Sequence, residues 1–153
     1  MTKIDTSYLS LIEEEADTIS LLANTSAYLN QMLDNINWVG FYRLINDQLI
    51  LGPFQGKVAC TVIQVGKGVC GHVAQTNLPI IVPDVHEFAG HIACDAASQS
   101  EMVIPIFIKD QLYGVLDIDA PIKNRFTDKD LETCQSIIHS LEDKLATLSS
   151  ASR

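Results

Sequence analysis

The chain has 153 residues, of which 47% are hydrophobic, and it carries a formal net charge of −9. This length and composition predict one domain with a substantial core and exclude an intrinsically disordered chain. The acidic balance argues against nucleic acid or an anionic membrane as a partner, because both attract cationic surfaces.

The sequence shows no segment of membrane or secretory type. No apolar run approaches the roughly 18 residues of a membrane span, and residues 1–5 lack the apolar core of a signal peptide. We therefore expect a cytoplasmic protein, in a compartment that keeps thiols reduced. Four cysteines in that compartment are expected to be core thiols, metal ligands or redox groups rather than permanent disulfides.

The first 36 residues are predicted to form two helices, because apolar residues recur at helical spacing between Leu9 and Leu33. The polar residues Asn24–Ser26 predict the break between the two helices, with a Ser or Thr capping the second. Residues 37–45 and 48–51 then predict a β-hairpin with a turn at Asn46–Asp47. The glycines and proline of residues 52–56 are predicted to end its second strand.

The middle of the chain alternates short elements with loops. Its predicted elements are a strand (61–65), a glycine-rich turn (66–71), a short helix (72–75), a strand (79–82) and a long loop (83–95). Free amides at such a helix start favour an anion, for instance a substrate carboxylate. A plain tight turn without a ligand is the alternative. The long loop exceeds the usual connection length, which is typical of functional or disordered segments.

The last third predicts a second hairpin and a terminal helix. Residues 102–108 and 112–118 form the hairpin strands, and residues 109–111 form its turn. Residues 127–130 have the pattern of a capping box, which opens a helix over 127–148 with an apolar stripe. The element order predicts an α+β fold with an antiparallel sheet. We expect the N- and C-terminal helices on one face, and the short helix and long loop over a ligand pocket on the other.

The four cysteines differ in their surroundings. Cys94 lies among small and polar residues of the long loop, so we predict a reactive thiol there, whereas Cys134 lies on the apolar stripe of the last helix and is predicted to be structural. Cys60 and Cys70 lie at element ends, and either could condense with an oxidised Cys94 to a disulfide. The alternative is a zinc site built from His86, His91, Cys94 and a second cysteine. The chain lacks the close ligand pairs of structural zinc sites, so we expect no bound metal.

Three carboxylates and two aromatic residues complete the candidate site. Asp117 and Asp119 alternate through Ile118, which places them on one sheet face, and Glu101 stands where the long loop meets a strand. Acids around one cavity repel each other and raise at least one pKa. Trp38 and Tyr42 also share a face and could wall an apolar slot for a thioether-like group. A solvated strand end and ordinary core aromatics are the alternatives.

These motifs resemble a known family. Residues 66–74 and 79–85 resemble the central signature of GAF domains. A more specific set resembles the free methionine-(R)-sulfoxide reductases, which are GAF proteins. Its segments are 37–42, 52–60, 68–71, 84–86, 91–98 and 114–119. The resemblance implies a single GAF-like catalytic domain over residues 1–153.

The resemblance also implies roles. Cys94 matches the family's catalytic thiol, and Cys60 and Cys70 match its two other redox cysteines, either of which resolves in different members. The residues that match the family's substrate pocket are Trp38, Tyr42, Glu101, Asp117 and Asp119. The family needs no bound cofactor, uses thioredoxin as reductant, repairs oxidative damage and is typically homodimeric. The alternative function is a non-catalytic GAF module that senses a small molecule.

Overall fold

The computed structural model of the protein describes residues 3–90 and 97–151. Within these ranges, no helix has both the length and the apolarity that crossing a membrane requires. The helices are α1 (Lys3–Ile12), α2 (Thr18–Met32), α3 (Gly68–Thr76) and α4 (Asp128–Ala151), with a short 3-10 helix at Val85–Glu87. The strands are β1 (Trp38–Ile45), β2 (Gln48–Gly56), β3 (Val62–Gln64), β4 (Ile80–Val82), β5 (Ser100–Ile108) and β6 (Gln111–Ala120).

The six strands form one sheet in the order β3-β2-β1-β6-β5-β4, and every neighbouring pair is antiparallel. Both predicted hairpins are present. Their turns are Asn46–Asp47, with φ angles of 51° and 62°, and Lys109–Asp110, with 51° and 66°. Two-residue turns with positive φ match the twist of the flanking strands. The predicted antiparallel α+β fold is confirmed.

The two faces of the sheet bury two different cores. Alternate residues of the central strands, such as Phe41 and Leu116, pack against α1, α2 and α4. Their neighbours on the other face, such as Tyr42 and Val115, pack against α3. This division follows from strand geometry, because successive side chains point to opposite faces. The predicted placement of the terminal helices on one face and the short helix on the other is confirmed.

The predicted break at Asn24–Ser26 is wrong. The chain breaks at residues 13–17, and the carboxylate of Asp17 caps α2 by accepting a 3.0 Å hydrogen bond from the Ser20 amide. Thr25 and Ser26 are buried inside α2 and donate their hydroxyls to carbonyls one turn earlier, at 2.8 and 2.9 Å. Such back-bonding lets hydroxyl residues remain within a helix.

Three further boundaries differ from the prediction by at least three residues. Strand β2 does not end at residue 51 but continues to Gly56, through a register shift against β1 between Gly40 and Tyr42. Pro53 is tolerated in β2 because β3 pairs only with residues 48–50 of that strand. The proline has no amide proton to donate, but on the β3 side no strand pairing reaches it. Helix α3 begins at Gly68 rather than residue 72, and α4 extends beyond 148 to Ala151.

The predicted capping box of α4 is confirmed. The Asp130 carboxylate accepts a 2.9 Å hydrogen bond from the Thr127 amide, and the Thr127 hydroxyl accepts one of 3.2 Å from the Asp130 amide. This reciprocal pair satisfies two backbone donors at the helix start. It anchors the helix that covers the sheet opposite the candidate site.

Candidate active site

The candidate nucleophile is not among the residues that the structure describes. Cys94, with His91, falls in the segment 91–96, outside the described ranges. His86 is described: its exposed ring lies 3.1 Å from the Asp84 carboxylate. The rest of the candidate site is built from β1, β5, β6, α3 and the loop after β2.

Six of the predicted site residues line one cleft between the sheet and α3. They are Trp38, Tyr42, Cys70, Glu101, Asp117 and Asp119. The cleft is also lined by residues that were not named individually as site residues: Val58, Ala59, Ile63, Lys67, Gly68, Val69 and Ser98. Three of them, Lys67, Gly68 and Val69, belong to the glycine-rich turn that was predicted to bind an anion. Of these, Lys67 had a detectable signal, because it is a cation.

The carboxylates converge because of strand register. Glu101 of β5 is paired directly with Asp119 of β6, and Asp117 lies two residues further along the same face. The relative exposures of Glu101, Asp117 and Asp119 are only 7%, 6% and 9%. Among the described residues, Oδ1 of Asp117 is buried without a hydrogen-bond partner. A buried acceptor of this kind calls for a ligand, water or ion.

Burial raises the pKa of Asp117 well above its ordinary value of 3.8, and the neighbouring charges of Asp119 and Glu101 raise it further. Desolvation and like charge both disfavour the ionised carboxylate. Asp117 therefore keeps its proton to a higher pH than an exposed aspartic acid does. The cleft can hold a protonated carboxyl beside an ionised one, which is the arrangement that proton donation to an oxygen requires.

The aromatic residues form one wall of the cleft. The rings of Trp38 and Tyr42 are stacked with centroids 6.0 Å apart, and Trp38 also stacks on Phe54 at 5.1 Å. Trp38 donates its Nε1 proton to the carbonyl of Lys57 at 3.1 Å. Burial raises the pKa of Tyr42, so its hydroxyl remains a donor, and it bonds the carbonyl of Cys60 at 2.8 Å. The polar ends thus hold the loop after β2, while the ring faces form an apolar wall.

The thiols occupy three different environments. Cys70 is a buried free thiol on α3, and its Sγ lies 3.9 Å from Oε2 of Glu101. Burial first, and then the negative charges of Asp117 and Glu101, raise its pKa well above 9.0. Cys60 is disulfide-bonded. Cys134 is a free thiol in the core on the opposite face, where burial raises its pKa to about 12. The prediction of Cys134 as a structural residue is confirmed.

The start of α3 has free backbone donors. Its N-cap is Lys67, and no side chain in the described ranges caps it. The amides of Gly66 and Gly71 donate hydrogen bonds to carbonyls within the turn, at 2.8 and 3.0 Å. These two amides are therefore not available to an anion, and fewer donors remain than the predicted range 66–71 implied. The amides of residues 68–70, which open the helix, have no partner within the helix. They are the donors left for a carboxylate.

Sequence and structure comparisons agree on the family. The profile of the GAF domain matches residues 11–143. The free methionine-R-sulfoxide reductase of Escherichia coli (strain K12) is 51% identical over 138 residues, which cover 90% of this chain and 84% of that protein. The chain belongs to the free methionine-R-sulfoxide reductase family of GAF domains.

Solved structures of this reductase family share the fold. The reduced form of fRMsr from Staphylococcus aureus is 54% identical and superposes with a TM-score of 0.91, over 94% of this chain and 93% of that one. The free methionine-R-sulfoxide reductase of Neisseria meningitidis, solved in complex with its substrate, is 35% identical with a TM-score of 0.93. That match covers 99% of this chain and 90% of the Neisseria chain.

Proposed function

We propose that this protein reduces free L-methionine-(R)-sulfoxide to L-methionine, with Cys94 as the nucleophile. The observation that carries the proposal is the cleft, in which the Trp38–Tyr42 wall faces the buried acids Glu101, Asp117 and Asp119. An apolar wall suits the thioether part of the substrate. The acids suit the two groups that need polar partners, the sulfoxide oxygen and the ammonium.

The proposed chemistry balances in three steps. The Cys94 thiolate attacks the sulfoxide sulfur, and a protonated carboxyl of the acid cluster supplies the proton that the oxygen needs. Asp117 is the candidate donor, because burial raises its pKa. The products are methionine and a sulfenic acid on Cys94. A second thiol of the chain condenses with the sulfenic acid, which forms a disulfide and releases water. Thioredoxin then reduces the disulfide to two thiols and is itself oxidised.

Cys60 is the better candidate for the second thiol. It is disulfide-bonded, whereas Cys70 and Cys134 are free thiols. Cys60 is therefore the thiol that we propose to condense with oxidised Cys94. We assign Cys70 a place in the cleft wall and no step in the redox cycle.

Selection of the free amino acid follows from its two charges. The acid cluster of Glu101, Asp117 and Asp119 can bind the ammonium through an ionised carboxylate. The first amides of α3, together with Lys67, can bind the substrate carboxylate. A methionine sulfoxide residue within a peptide has neither charge, so it would leave the buried acids and the helix amides without these partners.

The remaining parts of the proposal rest on the family resemblance. The whole chain acts as one catalytic domain in the cytoplasm, where thioredoxin maintains the dithiol state. It needs no bound cofactor, and we expect a homodimer. Light scattering coupled to size-exclusion chromatography measures the mass of the assembly, and a monomer at assay concentration would contradict that expectation.

The decisive experiment is a single turnover without reductant. Reduced protein mixed with one equivalent of free methionine-(R)-sulfoxide should lose two titratable thiols and about two hydrogen masses. Cys94→Ser should abolish methionine formation, Cys60→Ser should leave one turnover without a disulfide, and Cys134→Ser is the matched control with full activity. An unchanged thiol count, or equal consumption of both sulfoxide epimers, would contradict the proposal.

A further inference from the structure

Three potential metal ligands converge in the cleft, and none of them is a cysteine of the proposed redox cycle. The Sγ atom of Cys70 and one carboxylate oxygen each of Glu101 and Asp117 lie within 4.8 Å of one another. All three side chains are buried. They come from three elements, α3, β5 and β6, that pack together around one core, which fixes ligand positions better than a loop does.

We propose that Cys70, Glu101 and Asp117 form a binding site for a divalent cation of the zinc type, and that a bound cation closes the substrate cleft. The site lies within the cleft that is proposed to bind the substrate. It uses different ligands from the histidine and cysteine set considered in the sequence analysis.

One ligand pair lies close to the spacing of a zinc site. Tetrahedral zinc with Zn–S and Zn–O bonds of about 2.3 and 2.0 Å places sulfur and oxygen about 3.5 Å apart. Sγ of Cys70 lies 3.9 Å from Oε2 of Glu101, so small side-chain rotations would complete this pair. Oδ1 of Asp117 is buried and has no hydrogen-bond partner in the described part of the chain. A cation would satisfy this atom, and the fourth ligand position would be left for water or Asp119.

The ligand types select the metal. One thiolate and two carboxylates suit Zn²⁺ and Co²⁺, whereas Mg²⁺ prefers six oxygen ligands and keeps its waters. Binding replaces the proton on Cys70 Sγ by a metal–sulfur bond, and that proton passes to solvent. The cation adds two positive charges beside three acids, where the ammonium of the substrate is proposed to bind.

The binding test removes the two cysteines of the proposed redox cycle. In the background variant Cys60→Ser/Cys94→Ser, equilibrium dialysis should find one Zn²⁺ per chain, and Co²⁺ should give a thiolate-to-metal charge-transfer band. Adding Cys70→Ser should abolish the band, and adding Cys70→Ser or Asp117→Asn should weaken Zn²⁺ binding at least about tenfold. Adding Cys134→Ser is the matched control and should change neither. Absence of Zn²⁺ binding to the background variant, or equal binding with Cys70→Ser, would overturn the site.

A second measurement leaves the ligands intact. In the same background, Zn²⁺ should protect Cys70 from alkylation, as measured by peptide mass, and Mg²⁺ should not. Alkylation at an unchanged rate with saturating Zn²⁺ would also overturn the site. This readout remains valid if a ligand variant fails to fold.

Closure of the cleft rests on the proposed function and is tested in the wild-type protein. Zn²⁺ should raise the apparent KM for free methionine sulfoxide at least about tenfold at a concentration ten times its dissociation constant, and Mg²⁺ should not. Zn²⁺ binding without competition would overturn cleft closure and count against the ammonium position, but not against the site. Normal turnover with no Zn²⁺ binding would overturn the site and leave the proposed function standing.

Discussion

The hydroxyl of Tyr42 donates a 2.8 Å hydrogen bond to the backbone carbonyl of Cys60. This bond joins β1, a central strand of the sheet, to the loop that carries the disulfide-bonded cysteine. The sheet therefore sets the position of a cysteine that does not belong to it. Trp38 holds the same loop through the carbonyl of Lys57.

Tyr42→Phe should slow disulfide closure more than substrate reduction. The ring remains as part of the cleft wall, but the loop loses a hydrogen bond of about 0.5–1.5 kcal/mol, which corresponds to a two- to tenfold change in rate. Rapid-quench measurements of methionine and of the disulfide separate the two steps. Tyr113→Phe, on β6 but against the helix-side core, is the control. Equal slowing of both steps would contradict this role of the hydroxyl.

Lys67→Met should weaken binding of the free substrate. Lys67 lies at the start of α3, at the edge of the cleft, where a partly exposed charge contributes about 0.5–1 kcal/mol. We expect KM for free methionine sulfoxide to rise two- to fivefold, with little change in kcat. The C-terminal amide of methionine sulfoxide should show a poor KM that the substitution does not change. An equal effect on both compounds would mean that Lys67 does not bind the carboxylate.

Asp117→Asn should make the protein more stable at neutral and alkaline pH. The pKa of Asp117 is higher in the folded protein than its ordinary value of 3.8, so the folded state holds this proton more tightly than the unfolded chain does. The resulting stability is complete below pH 3.8 and is lost as the pH rises through the folded-state pKa. An asparagine does not titrate, so the variant loses no stability from this position as the pH rises.

The measurement is thermal unfolding from about pH 4 to about pH 9 with a metal chelator present. The difference in Tm between Asp117→Asn and wild type should grow with pH. Asp47→Asn changes an exposed carboxyl in the β1–β2 turn and serves as the control. A Tm difference that stays constant with pH, or shrinks as pH rises, would contradict the burial argument.

Gly40→Ala should destabilise the fold and disturb the aromatic wall. A Cβ at Gly40 would overlap Cβ of Phe54 and come within 2.9 Å of the Trp38 ring, and both neighbours are held by strand pairing. Overpacking of this kind costs about 1–3 kcal/mol. Gly52→Ala, whose Cβ would lie 3.1 Å from the Phe41 carbonyl, should cost less. Denaturant unfolding of the two variants measures the difference, and equal values would show that the Phe54 contact is not the cause.

The sequence alone determined which side chains share a face. Alternation along a strand places Trp38 with Tyr42 and Asp117 with Asp119, and helical spacing places Cys134 in the core. The two hairpin turns and the Thr127–Asp130 capping box could also be predicted from the sequence. All of these patterns depend on residues within a few positions of each other, and local backbone geometry fixes them.

Only the tertiary structure decided which of these faces meet. The pairing of Glu101 with Asp119, the approach of Cys70 to Glu101 and the hold of Tyr42 on Cys60 depend on strand register and helix docking. The misplaced helix break has the same origin: Thr25 remains helical with its hydroxyl bonded to that of Tyr8, a partner 17 residues away in sequence. Burial then raised the pKa of Asp117, because desolvation of its carboxylate is the largest cause of the shift.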